Sequence, residues 1–378
     1  MSVSAGRKFL AIPGPTTVPD EVLQAMHHPA VDIYTGELVG ITDSLLSDLG
    51  RIFRTSTAKP YIYISNGHGA WEAALTNTLS REDTVLVLES GRFAPGWGEM
   101  AETLGCTVET LPAGANGAVD PAAVEAHLRA DTAHRIKAIL VVQIDTASSV
   151  WNDIAAIRKA IDAAAHPALY MVDGIASIGC VPFEMDAWGV DLALTGSQKG
   201  LMMPPGLSFL MAGPRAIAAY EAADLKTRYW DWGFRNGDIH YMKYAGTPPV
   251  QHLYAARRAF DMLLTEEGLE MAWHRHALLA RATRAAVARW TEGGAIRFAV
   301  ADPAHRCDTV TLLHTTANFD AQELRAFTAE TCGVTLGVGL GEGGERSFRI
   351  AHMGHVNAPM LLGTLSSVQM GLQALGWS

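Results

Sequence analysis

Val190-Asp-Leu-Ala-Leu-Thr195-Gly-Ser-Gln-Lys199-Gly-Leu-Met-Met-Pro-Pro-Gly206 runs out of an apolar segment into small and polar residues and presents a lysine there. Twenty-six residues before that lysine, Ala168-Leu-Tyr-Met-Val-Asp173-Gly runs out of a second apolar segment onto an aspartate. Two parallel strands that end this way bring both charged groups to the edge where open α/β sheets bind ligands. A lysine beside an aspartate at such an edge is what pyridoxal phosphate chemistry needs. The amine forms a Schiff base with the cofactor aldehyde, and the carboxylate keeps the pyridine nitrogen protonated so that the ring accepts electrons. A strand-end lysine alone carries little weight, because most lysines are simply solvated. The matched Asp173 gives Lys199 its significance.

Outward from this pair, residues 60 to 240 alternate short apolar runs with helical patterns. The runs predict strands at 61–64, 84–88, 138–143, 169–172, 192–194 and 207–211, with helices at 71–78, 94–104, 121–128 and 153–164. Ala155-Ala-Ile-Arg-Lys-Ala-Ile-Asp-Ala-Ala-Ala165 has helix-favouring composition and period. Such alternation implies an α/β fold with a mostly parallel sheet and helices on both faces. A long amphipathic stretch over 250–290 reads as one linker helix. Beyond it, strands near 296–300, 309–313 and 347–350 and helices near 321–330 and 358–375 make a smaller C-terminal α/β domain. Residues 9–20 hold three prolines and a glycine, which forbid a helix and predict an extended arm. The expected division is an arm at 1–20, a large domain at 21–250, and linker plus small domain at 251–378.

Composition narrows the class of function. The 378 residues are 49% hydrophobic and 18% charged, the balance of a well-buried enzyme rather than a disordered chain. A formal net charge of −10 with no compensating basic patch argues against nucleic acid and anionic membrane as partners. No apolar run approaches the length of a membrane span, and neither terminus shows a targeting signal, so a cytoplasmic protein is expected. Cys106, Cys180, Cys307 and Cys332 are too scattered for a disulfide framework or a zinc site, and they suit a reducing compartment. His274 and His276, two apart on a predicted helix, point to different sides, so no metal site is expected.

Further segments acquire meaning around the lysine and the aspartate. Ser65-Asn66-Gly67-His68-Gly69-Ala70 joins a strand to a helix through small residues, which lets backbone N–H groups approach an anion. By itself it is equally an ordinary turn. Phe93 follows a strand and suits either a stack on a flat cofactor or the core. In Gln143-Ile-Asp-Thr146-Ala-Ser-Ser149, Thr146 suits a bond to a ring oxygen or a loop cap. Tyr244-Ala-Gly-Thr247-Pro-Pro249 holds two hydroxyls three apart, fitted to a phosphate or to a surface turn. Arg349, between Phe348 and Ile350, asks for an anion, either a substrate carboxylate or a structural partner.

Taken together, Pro13-Gly-Pro-Thr16, Gly67-His-Gly-Ala-Trp-Glu-Ala-Ala-Leu75, Val172-Asp-Gly-Ile-Ala-Ser177, Gly196-Ser-Gln-Lys-Gly200, Tyr244-x-x-Thr-Pro-Pro249 and Arg349-Ile350 resemble the class V aminotransferase family of fold-type I pyridoxal phosphate enzymes. The likeness is greatest to its alanine–glyoxylate and serine–glyoxylate branch and spans nearly the whole chain. It implies Lys199 as the Schiff-base lysine and Asp173 as the partner of the pyridine nitrogen. It implies Asn66, Gly67, His68 and Gln198 at the phosphate, Phe93 stacked on the ring and Thr146 at the ring hydroxyl. Arg349 takes the α-carboxylate, and Tyr34 lies in the segment near the substrate. Tyr244 and Thr247 reach the phosphate of a neighbouring subunit's cofactor, which implies a homodimer with shared sites.

Two departures stand out. Many relatives read Gly-Glu-Thr-Ser-Thr-Gly where this chain has Ile144-Asp-Thr-Ala-Ser-Ser149, so the loop loses its last glycine and carries a shorter acid. Val31-Asp-Ile-Tyr-Thr-Gly-Glu37 also lacks the Asp-His-Arg common in serine–glyoxylate enzymes.

The resemblance implies transamination from alanine or serine to a small oxo acid such as glyoxylate. Three alternatives accompany it. Pyridoxamine–pyruvate enzymes share the Asp-Thr, but their acidic residue in the phosphate turn is His68 here. A lyase such as a cysteine desulfurase needs a reactive cysteine on a mobile loop, for which Cys332 is the candidate. A non-catalytic binding dimer would have little reason to keep both Asp173 and Lys199.

Overall fold

In the computed structural model, residues 3–316, 319–341 and 343–377 are described; Met1, Ser2 and Ser378, part of the termini read for targeting signals, lie outside them. The strands are β1 (Phe9–Ala11), β2 (Lys59–Ser65), β3 (Thr84–Leu88), β4 (Thr107–Leu111), β5 (Ile136–Val142), β6 (Ile144–Asp145), β7 (Val150–Trp151), β8 (Leu169–Asp173), β9 (Leu192–Gly196), β10 (Gly206–Ala212), β11 (Ile296–Phe298), β12 (Val310–Thr315), β13 (Val334–Val338) and β14 (Ser347–Ala351).

Seven of them form a sheet in the order β2-β10-β9-β8-β5-β3-β4. Only β10 runs against the rest: it pairs antiparallel with β2 and β9, while β9-β8, β8-β5, β5-β3 and β3-β4 are parallel. The C-terminal ends of β2, β3, β5, β8 and β9 therefore share one edge. Strands β3, β8 and β9 are buried at every position, which explains their unbroken apolar sequence. Two apolar layers sandwich the sheet. One contains Phe209, Tyr170 and Leu253; the other contains Trp71, Trp97 and Leu140.

The second sheet has the order β1-β13-β14-β12-β11 and its own core around Phe348, Leu336 and Leu324. Its edge is a finding. Residues Phe9–Ala11, expected only to be extended, pair in parallel with β13, Phe9 opposite Val334. The arm therefore closes the sheet built by the far end of the chain.

The stretch 250–290, expected as one helix, is two. Helix Val250–Asp261 passes through a wide turn over Met262–Glu267, and Gly268, at φ 85°, ends it before helix Leu269–Glu292 begins. The amphipathic period runs across the break, but only glycine takes that backbone angle at little cost. No helix among the described residues is long and apolar enough to cross a membrane, and no group of three metal-ligating side chains is found among them.

Candidate active site

Lys199 stands in the turn after β9, and Ser197 shapes that turn: its Oγ donates to the Pro204 carbonyl at 2.7 Å and accepts from Leu207 N–H at 3.2 Å. The arm then clamps it. Thr16 N–H donates to the Gln198 carbonyl at 3.0 Å, Thr16 Oγ1 donates to the Lys199 carbonyl at 3.0 Å, and the Lys199 amine donates to the Pro13 carbonyl. Gly14, at φ 106°, has the lysine chain pressed on it; a Cβ there would lie 2.5 to 2.7 Å from Cε, Cδ and Nζ. That explains the glycine between the two prolines.

A cavity of about 280 Å³ opens at this point, near the lower end of the roughly 300–1,000 Å³ typical of small-molecule sites. The sheet edge supplies its walls. Asp173, at the end of β8, is 2% exposed, and both of its oxygens are engaged: Trp71 Nε1–H donates at 2.8 Å and Ile175 N–H at 2.6 Å. Burial nevertheless pushes its carboxyl up to about 7, with those two bonds opposing the rise and Asp145 adding to it. Burial and the nearby Arg349 charge bring the Lys199 amine down to about 8, against the attraction of Asp173 and Asp145. The two groups titrate near neutrality because each is withdrawn from water and only partly compensated.

Asn66 caps helix Gly67–Thr78, its side-chain oxygen accepting from His68 N–H at 3.1 Å and Gly69 N–H at 3.4 Å. The positive end of that helix faces the cavity, a natural seat for an anion. A Cβ on Gly67 would come within 2.2 Å of Ile175 Cδ1. Gln198 also lines the cavity, and its Oε1 is buried without a hydrogen-bond partner. Phe93 and Ile175 both line the cavity, along with Thr146.

Thus Asn66, Gly67, His68, Phe93, Thr146, Asp173, Gln198 and Lys199 lie around one cavity. Arg349 stands behind Thr146. Its Nη1 donates to the Thr146 carbonyl at 2.8 Å and its Nε to the Val338 carbonyl at 2.7 Å. Two carbonyls satisfy a cation buried to 6% exposure, and burial lowers it only to about 10, so it stays charged.

Three expected residues lie elsewhere. Tyr34 is 62% exposed, edge-on to Tyr241. Thr247 is exposed. Tyr244 is buried within the chain, its hydroxyl 2.7 Å from Thr42 Oγ1.

Trp71, Ile175 and the Gly14-Pro15 segment line the cavity without having been singled out as site residues. Trp71 and Ile175 read as core in an apolar pattern; only their nearness to Gly67 and Asp173 in the motifs hints otherwise. Cys332 does not line this cavity. It borders a separate groove with Arg7, Asp20 and His355, so the desulfurase alternative lacks its thiol here.

The family model described as Aminotransferase class-V matches residues 9–343. A serine–glyoxylate aminotransferase of Methylorubrum extorquens is 38% identical over 97% of this chain and 91% of its own length. An L-aspartate–glyoxylate aminotransferase of Paracoccus denitrificans is 36% identical over 97% of this chain and 91% of its own. The crystal structure of an alanine–glyoxylate aminotransferase from Nostoc superposes with a TM-score of 0.87 at 25% identity, covering 98% of this chain and 96% of that one.

Proposed function

Since the chain belongs to the class V aminotransferase family and is a pyridoxal phosphate-dependent transferase, we propose that it moves an amino group from a small L-amino acid, alanine or serine, to glyoxylate. The observation that carries the reading is the meeting of Lys199, Asp173 and Gln198 around one cavity at a helix N-terminus. These residues fit the cofactor: a cation-favouring acid at one end, an anion-favouring helix end at the other, and Phe93 and Ile175 beside the space between.

Pyridoxal phosphate, when bound, supplies an aldehyde for the amine and a ring that takes up electron density from the substrate α-carbon. The chain's own groups do the rest. Asp173, fixed by Trp71 and Ile175, would hold a proton on the ring nitrogen, and a cationic ring nitrogen beside it favours its ionised form. The Lys199 amine, near 8, is poised to give and take a proton at the substrate α-carbon. Asn66, Gly67, His68 and Gln198 would hold the phosphate, and Thr146 the ring hydroxyl. Arg349 would turn its fork to the donor's carboxylate. The same reading makes the protein a cytoplasmic homodimer, with Tyr244 and Thr247 reaching the phosphate of the neighbouring site and Tyr34 near the substrate. Its support is that Tyr34 and Thr247 are exposed on segments that join through His240 Nδ1 and the Ile33 carbonyl, 2.7 Å apart, and that the described cysteines are free thiols.

A half-reaction screen tests the proposal. Alanine or serine should bleach the visible band of the holoenzyme with stoichiometric formation of pyridoxamine phosphate, and glyoxylate should restore it. Bleaching by neither amino acid, or release of ammonia or sulfide instead, would overturn it. Sedimentation should give a dimer, and mixing Lys199→Ala with Thr247→Ala subunits should restore activity if the sites are shared; no recovery in proven hybrids would refute sharing.

A further inference from the structure

The short turn 145–148 connects to three of the residues assigned above. Asp145 is wholly buried, and its two oxygens accept three backbone N–H groups: Phe93 at 2.8 Å, Ala147 at 2.7 Å and Ser148 at 3.1 Å. The first of these bonds reaches across to the turn after β3; the other two fold the carboxylate's own loop. A second tie joins the same two segments, Ser148 Oγ donating to the Ser90 carbonyl at 2.8 Å. The contact is close: a Cβ on Gly91 would lie 2.3 to 2.6 Å from the Asp145 carboxylate. On its other side, the turn offers the Thr146 carbonyl to Arg349 Nη1. Phe93, Thr146 and Arg349 come from three different elements, yet the position of each is referred to this turn. The carboxylate is also the acid whose field reaches Arg349, Lys199 and Asp173 together.

We propose that Asp145 is a positioning residue: its carboxylate sets the Phe93 wall and the Thr146–Arg349 wall at one fixed separation, and so fixes the tilt of the ring bound between them. The inference rests on the functional reading above. It also gives the shorter acid at this position a physical sense. With Gly91 pressed against the carboxylate, no space is left for another methylene without moving the Phe93 turn.

The test uses the holoenzyme. In Asp145→Asn, one side-chain oxygen becomes an NH2 group and faces a backbone N–H, so a charge-assisted bond is lost. Gly91→Ala presses on the same carboxylate without changing its charge, and it serves if the first variant folds poorly. Both should reduce the visible circular dichroism of bound pyridoxal phosphate, which reads ring orientation. Both should weaken cofactor affinity by about tenfold and raise the donor KM more than they lower kcat. Restoring the acceptor pair in Asp145→Asn is not possible, whereas Ser148→Ala, which removes the second tie together with the longer 3.3 Å bond from Val150 N–H, should give a smaller change of the same kind. A variant with a lower melting temperature but wild-type visible dichroism, cofactor affinity and KM would show a purely structural role and overturn the proposal. A wild-type protein that binds no pyridoxal phosphate would instead remove the functional reading on which it stands.

Discussion

Asp173→Asn separates what the site needs from what the fold needs. In the cofactor-free protein, burial lifts this carboxyl from 3.8 to about 7. The folded state thus holds a proton that the unfolded chain releases in that window, and stability falls as pH rises through it. At about 1.4 kcal/mol per pH unit, the full penalty above pH 7 is on the order of 4 kcal/mol, and about 3 kcal/mol of it develops between pH 5 and pH 8. Asparagine cannot ionise and escapes the penalty. It has one acceptor oxygen where Trp71 Nε1–H and Ile175 N–H need two, a loss of about 1–3 kcal/mol that does not vary with pH. The cofactor-free variant should therefore gain on wild type by about 3 kcal/mol from pH 5 to pH 8 and match or exceed its stability at the upper end. Urea unfolding of both proteins at each pH measures this. Parallel pH profiles would refute the reasoning, because Asp173 would then not titrate in the window. The same variant should bind pyridoxal phosphate more weakly and exchange the donor α-hydrogen for deuterium more slowly by on the order of a hundredfold.

Three further outcomes are expected. With the Lys199 amine brought to about 8 by burial and Arg349, covalent capture of pyridoxal phosphate by the cofactor-free protein should quicken about tenfold per pH unit below 8 and level off above it; a flat rate from pH 6 to 9 would contradict this, and Lys199→Ala should form no covalent complex. Ser149 stands at φ 63°, where its family often has glycine, and its Oγ is buried without a partner; Ser149→Gly should stabilise the protein by about 1 kcal/mol and raise the melting temperature by roughly 1–2 °C, and a fall would show the backbone there to be unstrained. Arg349→Lys loses the fork that serves the Thr146 and Val338 carbonyls, so the donor KM should rise roughly tenfold while the visible band of the holoenzyme is kept; an unchanged KM would remove Arg349 from the substrate site.

The residues around Asp173 and Lys199 are legible in the sequence because fully buried parallel strands leave unbroken apolar runs, and the polar residue that ends each run marks the binding edge. Less apolar elements escape that signal. Strand β4, half exposed along Thr107–Leu111, lies at the sheet's edge and alternates too weakly to stand out. The pairing of β1 depends on contact with residues from the other end of the chain, which no local pattern records. The same holds for the site. Trp71 reads as core, and only the folded structure turns its indole N–H to Asp173. Tyr244 sits in a hydroxyl-rich motif, and no local pattern records that its hydroxyl meets Thr42, 202 residues away. In the altered 145–149 loop Ser149 stands in the left-handed backbone region, a conformation that glycine takes with less strain.

The pairing of β1 with β13 also sets an order on assembly during synthesis. Strand β1 has no neighbour until residues near Val334 emerge from the ribosome, while the seven-stranded sheet is already complete in sequence by Ala212. The Pro13–Thr16 segment that grips the Lys199 turn continues directly from that waiting strand. A nascent chain can thus build its binding edge early and yet leave the lysine without its anchored clamp until β13 has been made, which ties the finished pocket to the folding of the second sheet.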